Sequence, residues 1–216
     1  MNIFIMGAPG SGKGTISAKI KDEFNLNHIS TGDIFRENIS KGTELGLQAK
    51  AYSEKGLLVP DEITNKMVKD FLNNLADKKN GYLLDGYPRT LDQALAFEEM
   101  TAGTDLAVDK IIAMDVDTEV LTRRITGRRS CKKCGEIYNI YTKAPKVENV
   151  CDVCGNELSQ RKDDNEESLK IRLAEYAKNT EPVIAYYEKK GMVSTIDAST
   201  KTIDEIWSEV KDVLNK

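Results

Sequence analysis

The stretch GAPGSGKG, Gly7–Gly14, restricts what this chain can fold into more than any other. Before it runs NIFIM, a short apolar segment that reads as a buried strand. After it runs KGTISAKIKDEF, in which Ile16, Ile20 and Phe24 fall on one helical stripe. Strand, glycine loop and helix in this order fit the spacing G-x-x-x-x-G-K. Glycines let successive backbone N–H groups turn into one concavity. The helix behind adds the positive end of its dipole, and Lys13 reaches the outer phosphates of a ligand. The segment predicts a phosphate-binding loop at the end of a strand rather than a bare strand-to-helix turn.

The rest of the chain repeats the alternation. Residues 27–29, 81–86, 110–116 and 192–197 read as further strands, with helix from Glu119 and a last helix carrying Ile203, Ile206, Val210 and Leu214. Residues 31–80 show helical patterns broken at Gly42, Gly56 and Pro60. A helix is expected after DDNEES, with Asp164 as its cap and Glu167 at capping-box spacing. Strand–helix alternation of this kind implies a parallel sheet covered on both faces.

Composition narrows the class. The chain has 216 residues, 31% charged and net charge −4, so it has no basic bias toward nucleic acid or an anionic membrane. No stretch approaches the roughly 20 apolar residues of a membrane span. The start, MNIFIMGAPG, has no basic leader segment, and a cytoplasmic protein is expected. Of 31 basic residues only eight are arginine: Arg36, Arg89, Arg123, Arg124, Arg128, Arg129, Arg161 and Arg172. Where lysine serves for solvated charge, an arginine marks either a surface salt bridge or a place that needs a planar fork to clamp phosphate.

All four cysteines lie in a region without helical period, as C-x2-C-x16-C-x2-C: Cys131, Cys134, Cys151 and Cys154. Two such knuckles suit a closed tetrahedral metal site of structural type, zinc first and iron as an alternative. Two disulfides are the competing reading, disfavoured in a cytosolic chain. Lys132 and Lys133 favour the thiolates. An insert of about 35 residues with few large apolar side chains cannot build its own core. A metal lets it move as a rigid flap.

HISTGDIFR (28–36), LLDGYPRT (83–90) and ITGRR (125–129), together with the loop variant G-x-P-G-x-G-K-G-T, resemble the adenylate kinases over the full chain, in their zinc-containing, long-lid bacterial form. The loop departs from the commoner pattern: Gly14 follows the lysine and the hydroxyl comes at Thr15, so that magnesium is held mainly by phosphates and water. The resemblance implies a P-loop NTPase-type five-stranded parallel sheet flanked by helices. It implies a core of 1–29, 61–126 and 165–216, a helical monophosphate-binding insert of 30–60 and a zinc-stapled lid of 127–164.

It further implies ATP + AMP ⇌ 2 ADP with Mg²⁺, in adenine nucleotide balance and salvage, by a cytoplasmic monomer without nucleic-acid or membrane partners. Lys13, Arg36, Arg89, Arg128, Arg161 and Arg172 would be the catalytic cations. ATP would meet Gly10, Ser11, Gly12, Lys13, Gly14, Thr15, Arg124, Arg128, Ile137, Tyr138 and Thr200. AMP would meet Thr31, Arg36, Leu57, Leu58, Val59, Gly86, Arg89, Gln93, Arg161 and Arg172, with Gln93 facing the adenine and Ser53 where the family often has a larger residue. Asp85 would orient magnesium-bound water. Six of the eight arginines fall on these positions, leaving Arg123 and Arg129.

His28, the single histidine, reads as a packed and hydrogen-bonded strand-end residue, because phosphoryl transfer needs no histidine base. Asp163 and Asp164 read as a hinge whose carboxylates engage the closed lid, as helix caps, or as both. The competing functions are a kinase of UMP, CMP or GMP, a nucleic-acid-binding zinc ribbon with a regulatory nucleotide site, and a zinc-stapled structural protein.

Overall fold

In the computed structural model, which describes residues 1–75 and 80–216, the apolar run Asn2–Gly7 is strand β1, buried at every position. Such burial is what a central strand of a parallel sheet requires. The chain continues through α1 (Lys13–Phe24), β2 (Asn27–Ser30), α2 (Thr31–Lys41), α3 (Glu44–Ser53), α4 (Asp61–Asn73), β3 (Tyr82–Asp85), α5 (Leu91–Thr101), β4 (Lys110–Asp115) and α6 (Thr118–Thr126). Then come β5 (Arg128–Cys131), β6 (Ile137–Asn139), β7 (Leu158–Ser159), α7 (Glu166–Glu175), α8 (Glu181–Glu188), β8 (Val193–Asp197) and α9 (Ile203–Leu214). A π-helical turn at 176–180 joins α7 to α8.

The main sheet has the order β2-β3-β1-β4-β8, all parallel. The adjacent strands β1 and β4 send their connections to opposite sides, and the crevice outside their carboxyl ends is where such sheets take ligands. The glycine loop leaves β1 at that point. Along β1 the side chains alternate as the pleat demands. Phe4 and Met6 join a core with Val68, Leu72, Tyr82, Phe97 and Tyr187. Ile3 and Ile5 join Ile16, Ile20, Ile206, Val210 and Leu214 on the other face. The sheet is thus covered on both sides, as the alternation predicts.

Within 31–75 the expected breaks are real: Gly42 ends α2 at φ 65°, Gly56 turns at φ 72°, and Pro60 precedes α4. The end of the helical stretch expected up to residue 80, positions 76–79, lies outside the described residues. The cysteine region forms a small antiparallel sheet, β6-β5-β7. One expectation is corrected. The cap of α7 is Asn165, whose side chain accepts from Ser168 N, and not Asp164. The Asp164 carboxylate is taken by Arg128, 36 positions away in sequence, a partner no local pattern could reveal.

Phe97 is the knot of the first core, with its ring edge-on to Phe4 at 4.9 Å and tilted against Tyr82 and Tyr87 at 6.2 and 6.0 Å. Phe97→Ala is expected to destabilise the fold by about 3–5 kcal/mol, read as a fall in the urea midpoint. Leu47→Ala, at a side chain 65% exposed, should stay within about 0.5 kcal/mol.

Candidate active site

The loop after β1 curls through glycines at φ 146°, 85° and 99°: Gly7, Gly10 and Gly12. At Gly7 even a methyl group is excluded, since a Cβ there would stand 2.6 Å from Met114 O. The Lys13 ammonium folds back over the loop and donates to Gly7 O at 2.5 Å and Ala8 O at 2.9 Å. Burial lowers its pKa to about 8, the nearby Arg89, Arg172 and Arg128 act in the same direction, and Asp85 opposes them. Asp85 ends β3 and accepts from Ser17 Oγ at 3.4 Å.

Arg124 donates to Ser11 O at 3.3 Å and Ala198 O at 2.7 Å, bridging the loop to the segment after β8. Thr200, two residues further on, is exposed. Ile137 of β6 stands over the start of α1, its Cδ1 being the nearest group to Gly14, while Thr15 lies in the first turn behind. Tyr138, one position on, faces the other way. Its ring is buried with Cys131, Cys151 and Leu158, and its hydroxyl accepts from Asp152 N at 2.8 Å.

Across the sheet ends, one cavity is lined by Lys13, Thr31, Arg36, Ser53, Leu57, Leu58, Val59, Gly86, Arg89, Gln93 and Arg172. Apart from Arg161, every residue predicted for the monophosphate lies on it. Gly86 O organises the floor, accepting from Thr31 Oγ1 and from Arg89 Nε, both at 2.8 Å. Gly86 sits at φ 80°, and a Cβ would press within 2.8 Å of the Arg89 guanidinium, so only glycine serves there. Thr180, from the π turn, fixes the Arg89 carbonyl by donating to it at 3.0 Å. That strut was not foreseen, because its two ends are 91 residues apart.

The cations converge. Burial pushes Arg89 down to about 10, with Arg172 and Arg36 adding to the effect. Burial does the same to Arg161, to about 10, beside Arg128 and Arg36, and it lowers Arg172. Three carboxylates balance the group: Asp33 on Arg36 at 2.5 Å, Asp163 on Arg172 at 2.9 Å, and Asp164 in a two-pronged pair with Arg128. Arg123 and Arg129 stand apart. The first lies over the Tyr141 ring, and the second donates to the carbonyls of Thr126 and Arg128. With six cations against Asp33, Asp85, Asp163 and Asp164, the group keeps an excess of positive charge suited to a highly charged anion. His28 is packed on β2 as expected and burial lowers its pKa. The expected hydrogen bond at Nε2 is missing, for that nitrogen is buried with no partner among the described residues.

The four cysteine Sγ atoms lie within 4.8 Å of one another and are free thiols. The close approaches run between knuckles, Cys131 to Cys154 at 3.4 Å and Cys134 to Cys151 at 3.5 Å. Metal–sulfur bonds of about 2.3 Å set a tetrahedron edge of about 3.8 Å, so the donor set fits one ion with no open position. Burial resists ionisation of Cys151, yet the backbone N–H groups of Cys154 and Val153 and the Tyr138 hydroxyl bring its pKa to about 6. The Cys134 backbone N–H lowers Cys131 as well, but Cys134 is pushed up to about 12 by burial and the neighbouring thiols, and Cys154 is raised with it, so two of the four thiolates a metal needs are favoured before it arrives.

Comparison with known proteins agrees with the geometry. The family model described as "Adenylate kinase" matches residues 5–192. The chain is 50% identical to the adenylate kinase of Caldanaerobacter subterraneus subsp. tengcongensis over 99% of this chain and 96% of that protein. It is 46% identical to that of Clostridium acetobutylicum over the whole of both chains. It is also 46% identical to that of Bacillus licheniformis over 99% of this chain and 98% of that protein. Among the described residues no helix is long and apolar enough to cross a membrane.

Because every sulfur of the cluster is needed to close the cage, Cys151→Ser is expected to drop bound metal from one ion per chain toward none and to lower Tm by several degrees. The cavity lined by Thr31, Gly86 and Arg89, built from other elements, should keep whatever affinity for AMP the unaltered chain has. Elemental analysis, calorimetry and equilibrium binding of AMP check the three parts.

Proposed function

The chain belongs to the adenylate kinase family, a family of nucleoside monophosphate kinases, and on that premise we propose that it transfers the terminal phosphoryl group of Mg·ATP to AMP, giving two ADP. The observation that carries this reading is the convergence of Lys13, Arg36, Arg89, Arg128, Arg161 and Arg172 on the crevice between the phosphate loop and the cavity. An oxygen of the AMP phosphate attacks the γ-phosphorus, and the bond to the β–γ bridging oxygen breaks. The chemistry asks for spread positive charge and alignment more than for a protein nucleophile or base. Lys13 and Arg128 hold the donor phosphates, Arg36 and Arg89 hold the acceptor, and Arg161 and Arg172 stand between. The Arg124 guanidinium, joining the loop to Ala198, takes the adenine of ATP on its face.

Asp85 at the end of β3 suits the magnesium that accompanies ATP, because its carboxylate faces Lys13 beside the loop. That ion, when bound, neutralises phosphate charge. Zinc is the ion proposed for the four-cysteine cage, since four thiolates suit it and leave it no catalytic position.

Residues 127–164 act as the lid and 30–60 as the monophosphate insert. With Ile137 over the start of α1 the lid covers the loop, and in that closed state it sheds water that would otherwise take the phosphoryl group. As the family resemblance implies, the enzyme is proposed to act as a cytoplasmic monomer in adenine nucleotide balance.

A panel of AMP, dAMP, UMP, CMP and GMP with Mg·ATP tests the acceptor. Turnover with AMP at least tenfold above the pyrimidine acceptors is expected, and preference for UMP or CMP overturns the assignment. The pH dependence follows from Lys13. With its pKa lowered to about 8, the ammonium loses its proton as pH rises through 8, so kcat/KM for ATP should fall above that pH. With nucleotide bound, the phosphates hold the proton on and the limb of kcat should shift to higher pH.

A further inference from the structure

Gln93 is buried, yet its side chain lines the cavity. Its Oε1 accepts from Arg89 N at 2.7 Å, and its Nε2 donates to Asp61 Oδ1 at 2.7 Å. The other oxygen of Asp61, Oδ2, accepts from Thr90 Oγ1 at 2.7 Å, and the Thr90 oxygen in turn accepts from Gln93 N at 3.1 Å. Asp61 opens α4 immediately after Pro60, where the 30–60 segment ends, whereas Arg89, Thr90 and Gln93 form the first turn of α5 and the loop before it.

Both partners of the Gln93 amide are one-way groups. A backbone N–H can only donate, and a carboxylate holding two donors can only accept. Turning the amide over would set oxygen against carboxylate and N–H against N–H. The order is therefore locked, and the cavity is offered one N–H at the Asp61 end and one oxygen lone pair at the Arg89 end.

From this arrangement we infer that Asp61 is a specificity-determining positioning residue: by locking the sense of the Gln93 amide it makes the acceptor site read a 6-amino purine and reject a 6-oxo purine. A 6-amino purine presents a donor at N6 beside an acceptor at N1. A 6-oxo purine presents the same two sites reversed, an acceptor at O6 and a donor at N1. A carboxamide free to turn suits either base, and one of fixed sense suits one, because the wrong base leaves buried polar groups unpaired. The inference rests on the proposed placement of the acceptor base against Gln93.

The test compares kcat/KM for AMP and for inosine 5′-monophosphate, with Mg·ATP saturating, in the full-length protein and in Asp61→Asn, Asp61→Glu and Gln93→Leu. Asparagine can turn either end to Gln93, which leaves the Arg89 N–H as the one remaining one-way partner and weakens the lock. Asp61→Asn is expected to lower the AMP-to-inosine-monophosphate preference about tenfold, the worth of one hydrogen bond, with KM for ATP unchanged. Asp61→Glu keeps an acceptor-only group and should keep the preference even if both rates fall. An equal fall for both acceptors in Asp61→Asn, with the ratio intact, overturns the role of Asp61 and leaves it a structural strut.

Gln93→Leu separates the two levels. Unchanged kcat/KM for AMP in that variant removes Gln93 from the base and with it the premise. A loss there beside an intact ratio in Asp61→Asn overturns the inference alone. Should Asp61→Asn fail to fold, NMR of the unaltered protein decides. Slow rotation about the C–N bond gives Gln93 two NH2 proton signals in either case, so the lock is read from the proton held on Asp61: it is expected well downfield of its geminal partner and protected from solvent exchange, and two signals at free-glutamine positions without protection refute the lock.

Discussion

Like charges gathered in low hydration are the condition on which the site depends. Lys13, Arg89, Arg161 and Arg172 all titrate below their ordinary values because burial and one another's fields disfavour the charged forms. Such a cluster is tolerable because Asp33, Asp85, Asp163 and Asp164 cancel part of it. The uncancelled part is available to a polyphosphate, whose negative charge relieves the strain that built the site.

The sheet provides the frame. Five parallel strands end at one edge, and the loops leaving them carry Lys13, Thr31, Gly86 and Arg89 into one crevice. Each loop is further tied to its neighbour: Thr31 and Arg89 to Gly86 O, Arg124 to Ser11 and Ala198, Thr180 to Arg89. The lid has no such foundation. Its buried cluster is four residues, two of them cysteines, and the four-cysteine cage substitutes for the core that so short a segment cannot assemble.

Much of what rests on near neighbours was legible in the chain. The glycine loop, the turns at Gly42 and Gly56, the start at Pro60 and the C-x2-C knuckles each depend on a few consecutive residues whose conformational or ligating demands are strong. The scarcity of arginine was informative for a related reason. Six of eight arginines carry the resemblance, and those at the cavity and between the two sites all prove to be buried or ion-paired.

What misled or escaped the reading rests on distant partners. Asp164 looked like a cap until Arg128 claimed it. The packing of the Tyr138 ring into the cysteine cluster was not foreseen, and His28 Nε2 was left without the hydrogen bond expected of it. Asp61 gave no signal at all, since its partners are 29 and 32 residues away. By itself, then, the sequence determined the strand–loop–helix, the parallel sheet and the metal-ready cysteines, because periodicity and backbone freedom are local properties. Only the tertiary structure decided which carboxylate neutralises which arginine and which way a buried amide faces, because hydrogen-bond and ion-pair partners are chosen by proximity in space.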